Sequence, residues 1–326
     1  EKKSSIFSLV DAHFKGELIA PDQLPENVFG YETVSKSLHT RTFIKIQDGC
    51  DNFCSYCIVP MVRGKAVSRK PSDILDNVKK VIDNGFREIV LTGVNIGRYD
   101  HEGLKIEDLL SMILEVPGDF RVRISSIEPD GFGTGFHELF RHPKLTPHLH
   151  LCLQSGSDDI LKRMKRVYSV KSFMEIIETF RKSFPDFNFT TDIIVGFPGE
   201  TADDFKATCR IAEEALFSHI HTFRYSRRTG TRADKMINQV PEIIKQERSR
   251  IIQSISKLNR HKYLTSITGA SQKVLVEKTG TDDIALGYGE HYVPVKFHSR
   301  EAVENEFYQV KLTKPTSDGK MWAEKI

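Results

Sequence analysis

From Arg41 onward, runs rich in β-branched and aromatic residues alternate with longer stretches of helical periodicity. The strand-like runs cover residues 43–47, 88–92, 121–127, 148–153, 188–195 and 219–225. The helix-like stretches cover residues 72–84, 106–115, 135–141, 158–182 with a break near Tyr168, 201–215 and 241–263. This alternation predicts six strand-helix units of an α/β fold, in which right-handed crossovers curl a parallel sheet into a barrel or an open barrel.

Residues typical of helix ends support these boundaries. Pro71 suits a first helical turn and Gly85 a C-terminal stop, while Thr201 and Asp204 have the spacing of a capping box. In such a sheet the loops that follow the carboxyl ends of the strands converge on one mouth. We therefore expect the functional residues in those loops.

Three of the five cysteines, Cys50, Cys54 and Cys57, fall within eight residues directly after the first strand-like run. Thiolates bind soft metals. A zinc site would need a fourth ligand, such as His39 or His101, and neither has zinc-finger spacing. Three thiolates fit a 4Fe-4S cluster better, because one iron then has no protein ligand and is open to chemistry. Cys152 and Cys209 are predicted to be buried core thiols.

Composition excludes several classes of protein. The chain has 326 residues, 28% of them charged, and a net charge of +3, which is too small by itself to indicate nucleic-acid binding. No apolar run approaches the roughly 20 residues that span a bilayer, and the amino end lacks a signal-peptide core. An odd number of cysteines does not suggest a disulfide framework. We expect a cytoplasmic protein without a membrane partner.

Polar residues follow the second, third and fourth predicted strands. Thr92 and Asn95 offer polar contacts beside Gly93, although a plain turn is an equal alternative. Alternation along the third strand points Ser126 and Glu128 into the mouth, and a surface carboxylate is the alternative for Glu128. After the fourth strand come Gln154 and Ser155, whose amide and hydroxyl groups can reach a ribose or a substrate, and Ser157, which suits helix capping.

The last two predicted strands carry further candidates. Asp192 lies in a strand suited to burial, so it either pairs with an arginine or faces the cavity, which we favour. Phe223 and Tyr225 can hold an adenine ring. Three arginines follow them and are predicted to bind phosphate, although a solvated face is the usual meaning of a charge run: Arg227, Arg228 and Arg232.

Residues 1–40 show no sustained periodicity and are predicted to form a connector, followed by a core domain at 41–264. Residues 265–326 contain short strand-like runs at 273–277, 292–297 and 307–312 that predict a small antiparallel barrel. This tail resembles the TRAM domain, an RNA-binding module. A simple packing domain is the alternative.

The cysteine motif, with the aromatic residue Tyr56 before its third cysteine, resembles the signature of the radical S-adenosylmethionine (SAM) enzymes. The resemblance implies a partial barrel, a 4Fe-4S cluster whose open iron binds SAM, and reductive cleavage of SAM to a 5'-deoxyadenosyl radical. It also implies that Thr92, Gly93 and Val94 hold the amino group of SAM. The segment at Gly196 resembles the one that packs against adenine in that superfamily.

Together with the segments at 154–166, 191–201 and 223–231 and with the tail, the cysteine motif resembles the methylthiotransferase family. The chain looks closest to the branch that methylthiolates N6-threonylcarbamoyladenosine beside the tRNA anticodon. That implies the tRNA anticodon stem-loop as partner and a flavodoxin or ferredoxin as electron donor. Relatives acting on isopentenyl adenosine or on a ribosomal protein are alternatives. A non-catalytic, metal-stapled RNA-binding module is a further one.

One departure concerns the amino end. The family carries an amino-terminal domain with three more cysteines, which hold a second 4Fe-4S cluster, and Cys152 and Cys209 do not match its pattern. Residues 1–40 would be the trailing end of that domain. The resemblance therefore leads us to expect that this chain cleaves SAM but is incomplete for sulfur insertion and methyl transfer.

Overall fold

The structure, a computed structural model, describes residues 6–17, 28–30 and 40–326. Helix α1 spans Ile6–Lys15 inside the predicted connector, which the sequence analysis did not anticipate. Its apolar residues are largely exposed, with Phe7 at 88% and Phe14 at 84%. The remainder of the predicted connector, apart from residues 16–17, 28–30 and 40, lies outside the described residues, as does His39.

Six parallel strands follow one another in chain order, as predicted, in two sheets of three and four strands that together make a half-barrel, because the third strand contributes one segment to each sheet. The third strand breaks at Ser125 into two short segments. The strands are β1 (Arg41–Lys45), β2 (Glu88–Thr92), β3 (Arg121–Ile124), β4 (Ser126–Ile127), β5 (His148–Leu151), β6 (Asn188–Val195) and β7 (His219–Arg224). Parallel pairs join β1 to β2, β2 to β3, β4 to β5, β5 to β6 and β6 to β7. Strands β1 and β7 are the two edges.

Helices follow the strands of this half-barrel, and all of them except the first, which has no buried residue, bury apolar side chains. They are α2 (Val59–Arg63), α3 (Pro71–Asp83), α4 (Ile106–Leu114), α5 (Asp158–Arg163), α6 (Val170–Ser183), α7 (Ala202–Glu214) and α8 (Glu242–Ser266). Residues 135–141 form a 3₁₀ turn at Phe136–Arg141 rather than an α-helix. Two short antiparallel pairs complete this unit, Gln47–Asp48 with Val67–Ser68 and Asp100–His101 with Leu104–Lys105.

Helix boundaries follow the predicted end signals. Pro71 opens α3, and Gly85 follows it with φ +85. The Thr201 hydroxyl accepts a hydrogen bond from the Asp204 amide at 3.1 Å, and the Asp204 carboxylate accepts one from the Thr201 amide at 2.9 Å. This capping box fixes the start of α7, as the sequence predicted.

The two faces of the sheet differ in polarity. Leu149, Leu151 and Leu153 point outward and are fully buried against the helices. The residues between them, His148, His150 and Cys152, point inward because successive side chains of a strand alternate between faces. The half-barrel therefore encloses a lumen into which polar side chains of β5 point.

The C-terminal strands close a small barrel in the order β8-β9-β10-β12-β11. They are β8 (Ser271–Thr279), β9 (Ile284–Tyr288), β10 (Pro294–His298), β11 (Phe307–Pro315) and β12 (Met321–Lys325). Strands β9 and β12 were not predicted from the sequence. The prediction of a fully antiparallel barrel is wrong for one pair of strands. Strand β10 pairs with β12 in parallel, because β12 closes the barrel beside a strand that does not precede it in the chain.

Helix α8 joins the two units. Its residues Ile252 and Ile255 pack in the core of the half-barrel, whereas Tyr263 and Leu264 pack in the core of the small barrel. Arg121 also links them, since its guanidinium donates to the carbonyl oxygens of Lys273 and Tyr288 at 3.1 and 3.0 Å. Among the described residues, no helix combines the length and apolar character needed to cross a membrane.

Candidate functional site

The cysteine loop leaves β1 at the carboxyl end of the half-barrel. Cys50, Cys54 and Cys57 are all partly exposed there, and the Cys57 amide donates to the Cys54 carbonyl at 3.0 Å. Gly49 sets the start of the loop with φ +68, and a Cβ at this position would lie 1.9 Å from the carbonyl oxygen of Lys65. Only glycine permits this close approach of the loop to residues 64–65. A hydrogen bond from the Cys50 amide to the Gly64 carbonyl also joins the two segments.

The number of thiols fits an iron-sulfur cluster better than zinc. A structural zinc site takes four protein ligands. Among the described residues, no histidine or carboxylate forms a group of metal ligands with Cys50, Cys54 and Cys57, and His101 is not a fourth ligand. Three thiolates leave one iron of a 4Fe-4S cluster without a protein ligand. Burial raises the pKa of Cys54 to about 11 and also raises that of Cys57, so binding iron must displace protons.

The Arg166 side chain supports the cysteine loop by binding two of its neighbours. Its guanidinium donates to the Tyr56 hydroxyl at 2.5 Å and pairs with the Glu128 carboxylate at 2.5 Å. The Arg166 side chain is only 6% exposed, and burial raises the pKa of Tyr56. Arg166 ends the segment 154–166 that carries part of the family resemblance, and the structure places it in a buried ion pair. A predicted substrate residue, Glu128, thus supports the cysteine loop.

Ser55 ties the same loop to two other segments. Its hydroxyl donates to the Arg163 carbonyl at 2.8 Å, and its amide donates to the Met164 carbonyl at 3.0 Å. The Ser55 carbonyl accepts from the Ala233 amide at 2.8 Å. The arginines Arg227, Arg228 and Arg232 just before Ala233 are exposed, and Arg227 pairs with Asp234 at 2.9 Å. The basic segment therefore lies beside the cysteine loop.

A cavity of about 570 Å³ opens next to the loop. It is lined by loop residues Asp51 and Asn52 and by Arg166 and Tyr168, together with Arg98, Asp100 and Asp130 from the other side. None of the predicted cofactor residues lines it. The structure places those residues in four other locations.

The loop at Thr92–Asn95 is held by Gln47, which the sequence analysis missed. The Gln47 side chain accepts hydrogen bonds from the amides of Val94 and Asn95 at 3.1 and 2.8 Å. A Cβ on Gly93 would lie 2.9 Å from the Gln47 carbonyl, so this glycine is required by the neighbouring backbone. The buried side-chain amide of Asn95 has no hydrogen-bond partner among the described residues, and Thr92 lies at the end of β2.

The loops after β5 and β6 are packed rather than open. Gln154 has φ +65 and bridges to β6 through its backbone, and the fully buried Ser155 hydroxyl lies 3.4 Å from that of Thr208. Gly196 has φ +71, and a Cβ there would lie 2.3 Å from Cγ of Lys245. Ser157 caps α5, as predicted, by accepting from the Ile160 amide.

Aromatic rings link the β6 loop to the cysteine loop. Phe197 makes edge contacts with Tyr56 at 6.3 Å and with Tyr225 at 5.5 Å between ring centroids. Tyr225 is buried in this cluster, and burial raises its pKa. Phe223, two residues earlier, points instead into the lumen and is 51% exposed.

The lumen has a volume of about 640 Å³ and receives Ser126, Asp192 and Phe223 among the predicted residues. Asp192 faces the cavity as expected and lies 3.2 Å from Nε2 of His150. The Ser126 hydroxyl lies 3.3 Å from Sγ of Cys152. Cys152 is buried as predicted, whereas Cys209 is only partly buried.

His150, Cys152 and Asp192 place three potential metal ligands within 4.8 Å of one another. Burial raises the pKa of the Cys152 thiol, and the nearby carboxylate of Glu128 raises it further. His150 and Asp192 line the lumen, and Cys152 lies beside it next to Ser126.

Several lumen residues escaped the sequence analysis: Arg123, His148, His150, His219 and His221. The signal was present as a polar residue at every second position in Arg121-Val-Arg123, His148-Leu-His150 and His219-Ile-His221. In a strand this pattern places one polar face opposite one apolar face. Here the polar face is the inner one.

Known proteins similar to this chain agree with this geometry. The family described as the Radical SAM superfamily matches residues 44–212. A threonylcarbamoyladenosine tRNA methylthiotransferase, MtaB, of Thermotoga maritima is 42% identical over 294 residues, which are 89% of this chain and 67% of the relative. A tRNA-2-methylthio-N(6)-dimethylallyladenosine synthase of Clostridium beijerinckii is 37% identical over 290 residues, 87% of this chain and 64% of the relative.

Among solved structures, the radical SAM methyltransferase TsrM of Kitasatospora setae, with cobalamin and a [4Fe-4S] cluster bound, matches with a TM-score of 0.51. The sequence identity is 14%, and the match covers 59% of this chain and 35% of the other. At that identity the likeness concerns the fold alone. It agrees with the half-barrel described above.

Proposed function

Because this chain belongs to the radical SAM superfamily and, within it, to the methylthiotransferase family, we propose that it serves the addition of a methylthio group to the adenine of N6-threonylcarbamoyladenosine beside the tRNA anticodon. The observation that carries the proposal is the cysteine loop. Three partly exposed thiols, without a fourth ligand among the described residues, lie at the carboxyl end of a half-barrel beside a cavity.

Cys50, Cys54 and Cys57 would hold the 4Fe-4S cluster. When bound there, the cluster and SAM supply a radical that can remove hydrogen from a ring carbon, which carries no proton acidic enough for a general base. The residues around the loop position it. Arg166 fixes Tyr56 and Glu128 beneath the thiols, and Ser55 holds the loop to α5 and to the basic segment.

We assign the cavity beside the loop to SAM. It presents carboxylate groups of Asp51, Asp100 and Asp130 and guanidinium groups of Arg98 and Arg166. These can face the amino and carboxylate groups of an amino-acid cofactor, although Arg98 already pairs with Asp130. The segment 92–94 does not line this cavity, so its predicted contact with the amino group of SAM stays a prediction.

The exposed arginines Arg227, Arg228 and Arg232 would contact tRNA phosphates, since they lie next to the cysteine loop. The TRAM-like barrel would bind the RNA further from the mouth. A flavodoxin or ferredoxin would supply the electron in the cytoplasm. The second 4Fe-4S cluster lies outside the site described here, because Cys152 and Cys209 do not supply a three-cysteine set.

A second candidate substrate is N6-dimethylallyladenosine, the nucleoside named for the Clostridium beijerinckii relative. Its N6 substituent is a hydrocarbon, whereas the lumen of this chain combines aromatic and aliphatic residues with three arginines, four histidines and one aspartate. The arginines favour the threonylcarbamoyl group, because it carries a carboxylate with which a guanidinium can pair. We therefore prefer threonylcarbamoyladenosine.

Anaerobic iron-sulfur reconstitution tests the enzyme assignment. We expect the native protein to bind iron, to absorb visible light and to release 5'-deoxyadenosine from SAM. Cys54→Ala should lose both the iron and the release, while Cys209→Ala should keep them. A colourless, zinc-loaded native protein would instead support the RNA-binding module without turnover.

Analysis of tRNA tests the substrate. Nucleosides from cells that lack the gene for this protein should contain N6-threonylcarbamoyladenosine without its methylthio derivative, as measured by mass spectrometry. Return of the derivative on complementation is the control. Persistence of the methylthio derivative in the deletion strain contradicts the substrate assignment.

A further inference from the structure

The lumen of the half-barrel has a floor, a wall and an open side. Arg123, His148 and Tyr292 lie at the floor, where the C-terminal barrel meets the amino ends of the strands. Phe43 on edge strand β1 and Phe223 on edge strand β7 line the same cavity and are 60% and 51% exposed. Exposed aromatic rings are common stacking surfaces for nucleobases. The open side is therefore suited to admit a base.

Charge in the lumen is predominantly positive. Three guanidinium groups, of Arg41, Arg123 and Arg260, line it, against the single carboxylate of Asp192. Arg41 is partly compensated by Glu277 at 2.7 Å. Arg123 shares the carboxylate of Glu88 with Arg121, so one carboxylate serves two buried guanidinium groups. An anion that entered this lumen would meet an excess of cations.

Two polar atoms at the floor have no partner. Nε of Arg123 and Nδ1 of His148 are buried without a hydrogen bond among the described residues. Both side chains are nearly inaccessible, at 4% and 3% exposed. His148 uses its other nitrogen, since Nε2 lies 3.2 Å from the Thr190 hydroxyl. A buried polar atom without a partner costs free energy, so such a pair at a cavity floor indicates a missing ligand.

We propose that this floor is the binding site for the carboxylate of the N6 substituent of the substrate base, held by Arg123 and His148 after the base enters between Phe43 and Phe223. The inference rests on the proposed function and identifies the part of the protein that selects the substrate. The Arg123 guanidinium would donate to the carboxylate as a charge-assisted hydrogen bond. His148 would donate through Nδ1, which assigns the proton to that nitrogen.

The orientation agrees with the position of the cysteine loop. From Arg123 to Ser126 the chain rises about 10 Å along the strand, and Glu128 at the mouth lies two residues further. A base whose substituent reaches the floor therefore presents the rest of its ring toward the carboxyl end. The ring carbon that receives the methylthio group and N6 occupy different corners of adenine. One can thus face the mouth while the other faces the floor.

Direct binding to the native protein tests this site without any variant. Three anticodon stem-loop RNAs are compared by fluorescence anisotropy: one with N6-threonylcarbamoyladenosine, one with the threonine carboxylate converted to the neutral amide, and one with unmodified adenosine. We expect the acid to bind about ten- to a hundredfold more tightly than the amide, the range of a charge-assisted hydrogen bond. Equal affinity for acid and amide overturns the proposal.

Variants then locate the contact. Arg123→Gln should remove the preference for the acid, because the variant lacks the guanidinium that would pair with the carboxylate. Glu88 still has Arg121 as its ion-pair partner, so the variant is not left with an unpaired buried carboxylate. His148→Phe should reduce it. Arg141→Gln, which removes an exposed arginine paired with Glu138, is the control and should retain it. Retention of the preference in folded Arg123→Gln protein also overturns the assignment.

Failure of this inference differs from failure of the proposed function. If native protein releases 5'-deoxyadenosine and the tRNA result stands, but acid and amide bind equally, only the carboxylate site is wrong. If the deletion strain keeps the methylthio derivative, the substrate is wrong, and the acid preference is not expected either.

Discussion

Arg166 shows how much of the site depends on one buried side chain. It contacts the hydroxyl of Tyr56 in the cysteine loop and the carboxylate of Glu128 after β4, and it lies near the ring of Tyr168 at 5.9 Å. These partners are 110, 38 and 2 residues away in the chain. A buried carboxylate that loses its only cation is left with an uncompensated charge.

Replacing Arg166 by leucine should therefore lower the free energy of unfolding by about 3–5 kcal/mol, the usual cost of removing one partner of a buried ion pair. Chemical denaturation of the apoprotein measures this. The double variant Arg166→Leu/Glu128→Gln should recover part of the lost stability, because it no longer contains the unpaired carboxylate of Glu128. Arg141→Leu at an exposed pair should lower the free energy of unfolding much less. A loss at Arg166 no larger than that at Arg141 would contradict the bracing role.

At the scale of elements, the cysteine loop is shaped by its closure onto residues 64–65. Gly49 and Gly85 both have positive φ, +68 and +85. At Gly85 a Cβ would meet nothing within 4 Å, whereas at Gly49 it would collide with the Lys65 backbone. Alanine at Gly85 would therefore destabilise the protein only through its backbone conformation, whereas alanine at Gly49 would add a steric clash.

Gly85→Ala should cost about 1–2 kcal/mol, the penalty of a left-handed conformation for an L-residue. Gly49→Ala should cost more and should also lower the iron content after reconstitution, since the loop must shift to relieve the clash. Denaturation and iron analysis on both variants give the comparison. Normal iron retention by Gly49→Ala would show that the loop closure is not needed for cluster binding.

At the scale of the whole molecule, buried histidines lie where the half-barrel meets the C-terminal barrel. Burial lowers the pKa of His148 well below its usual value and lowers that of His291 to about 4. His219, which is half-buried, also has its pKa lowered to about 4, chiefly by burial. The Arg123 cation further lowers the pKa of His148. These side chains are therefore neutral in the folded protein at pH 7.

Stability should fall as the pH drops from about 6.5 toward 4. In that window the unfolded chain binds protons at these histidines and the folded chain does not, so protonation favours unfolding by about 1.4 kcal/mol per pH unit for each fully neutral histidine. Denaturation at a series of pH values measures the slope. His291→Gln should make it shallower. A flat profile between pH 6.5 and 4.5 would contradict neutral burial.

The strands and helices of the half-barrel could be predicted because their signals are local. Periodicity, Pro71, Gly85 and the Thr201 capping box all act within a few residues, and the structure agrees with them to within a few positions. Strands β9 and β12 were missed because Gly287 interrupts one run and the other is short. Their pairing partners, not their own sequence, make them strands.

The sequence by itself determined the α/β order, the cysteine spacing and the family, because each is written in neighbouring residues. Only the tertiary structure decided which side chains meet: Gln47 with the loop after β2, Arg166 with Tyr56, and Arg123 with His148 at the floor of the lumen. These contacts join segments far apart in the chain. Their formation depends on how the strands are arranged around the barrel, which no local pattern of residues specifies.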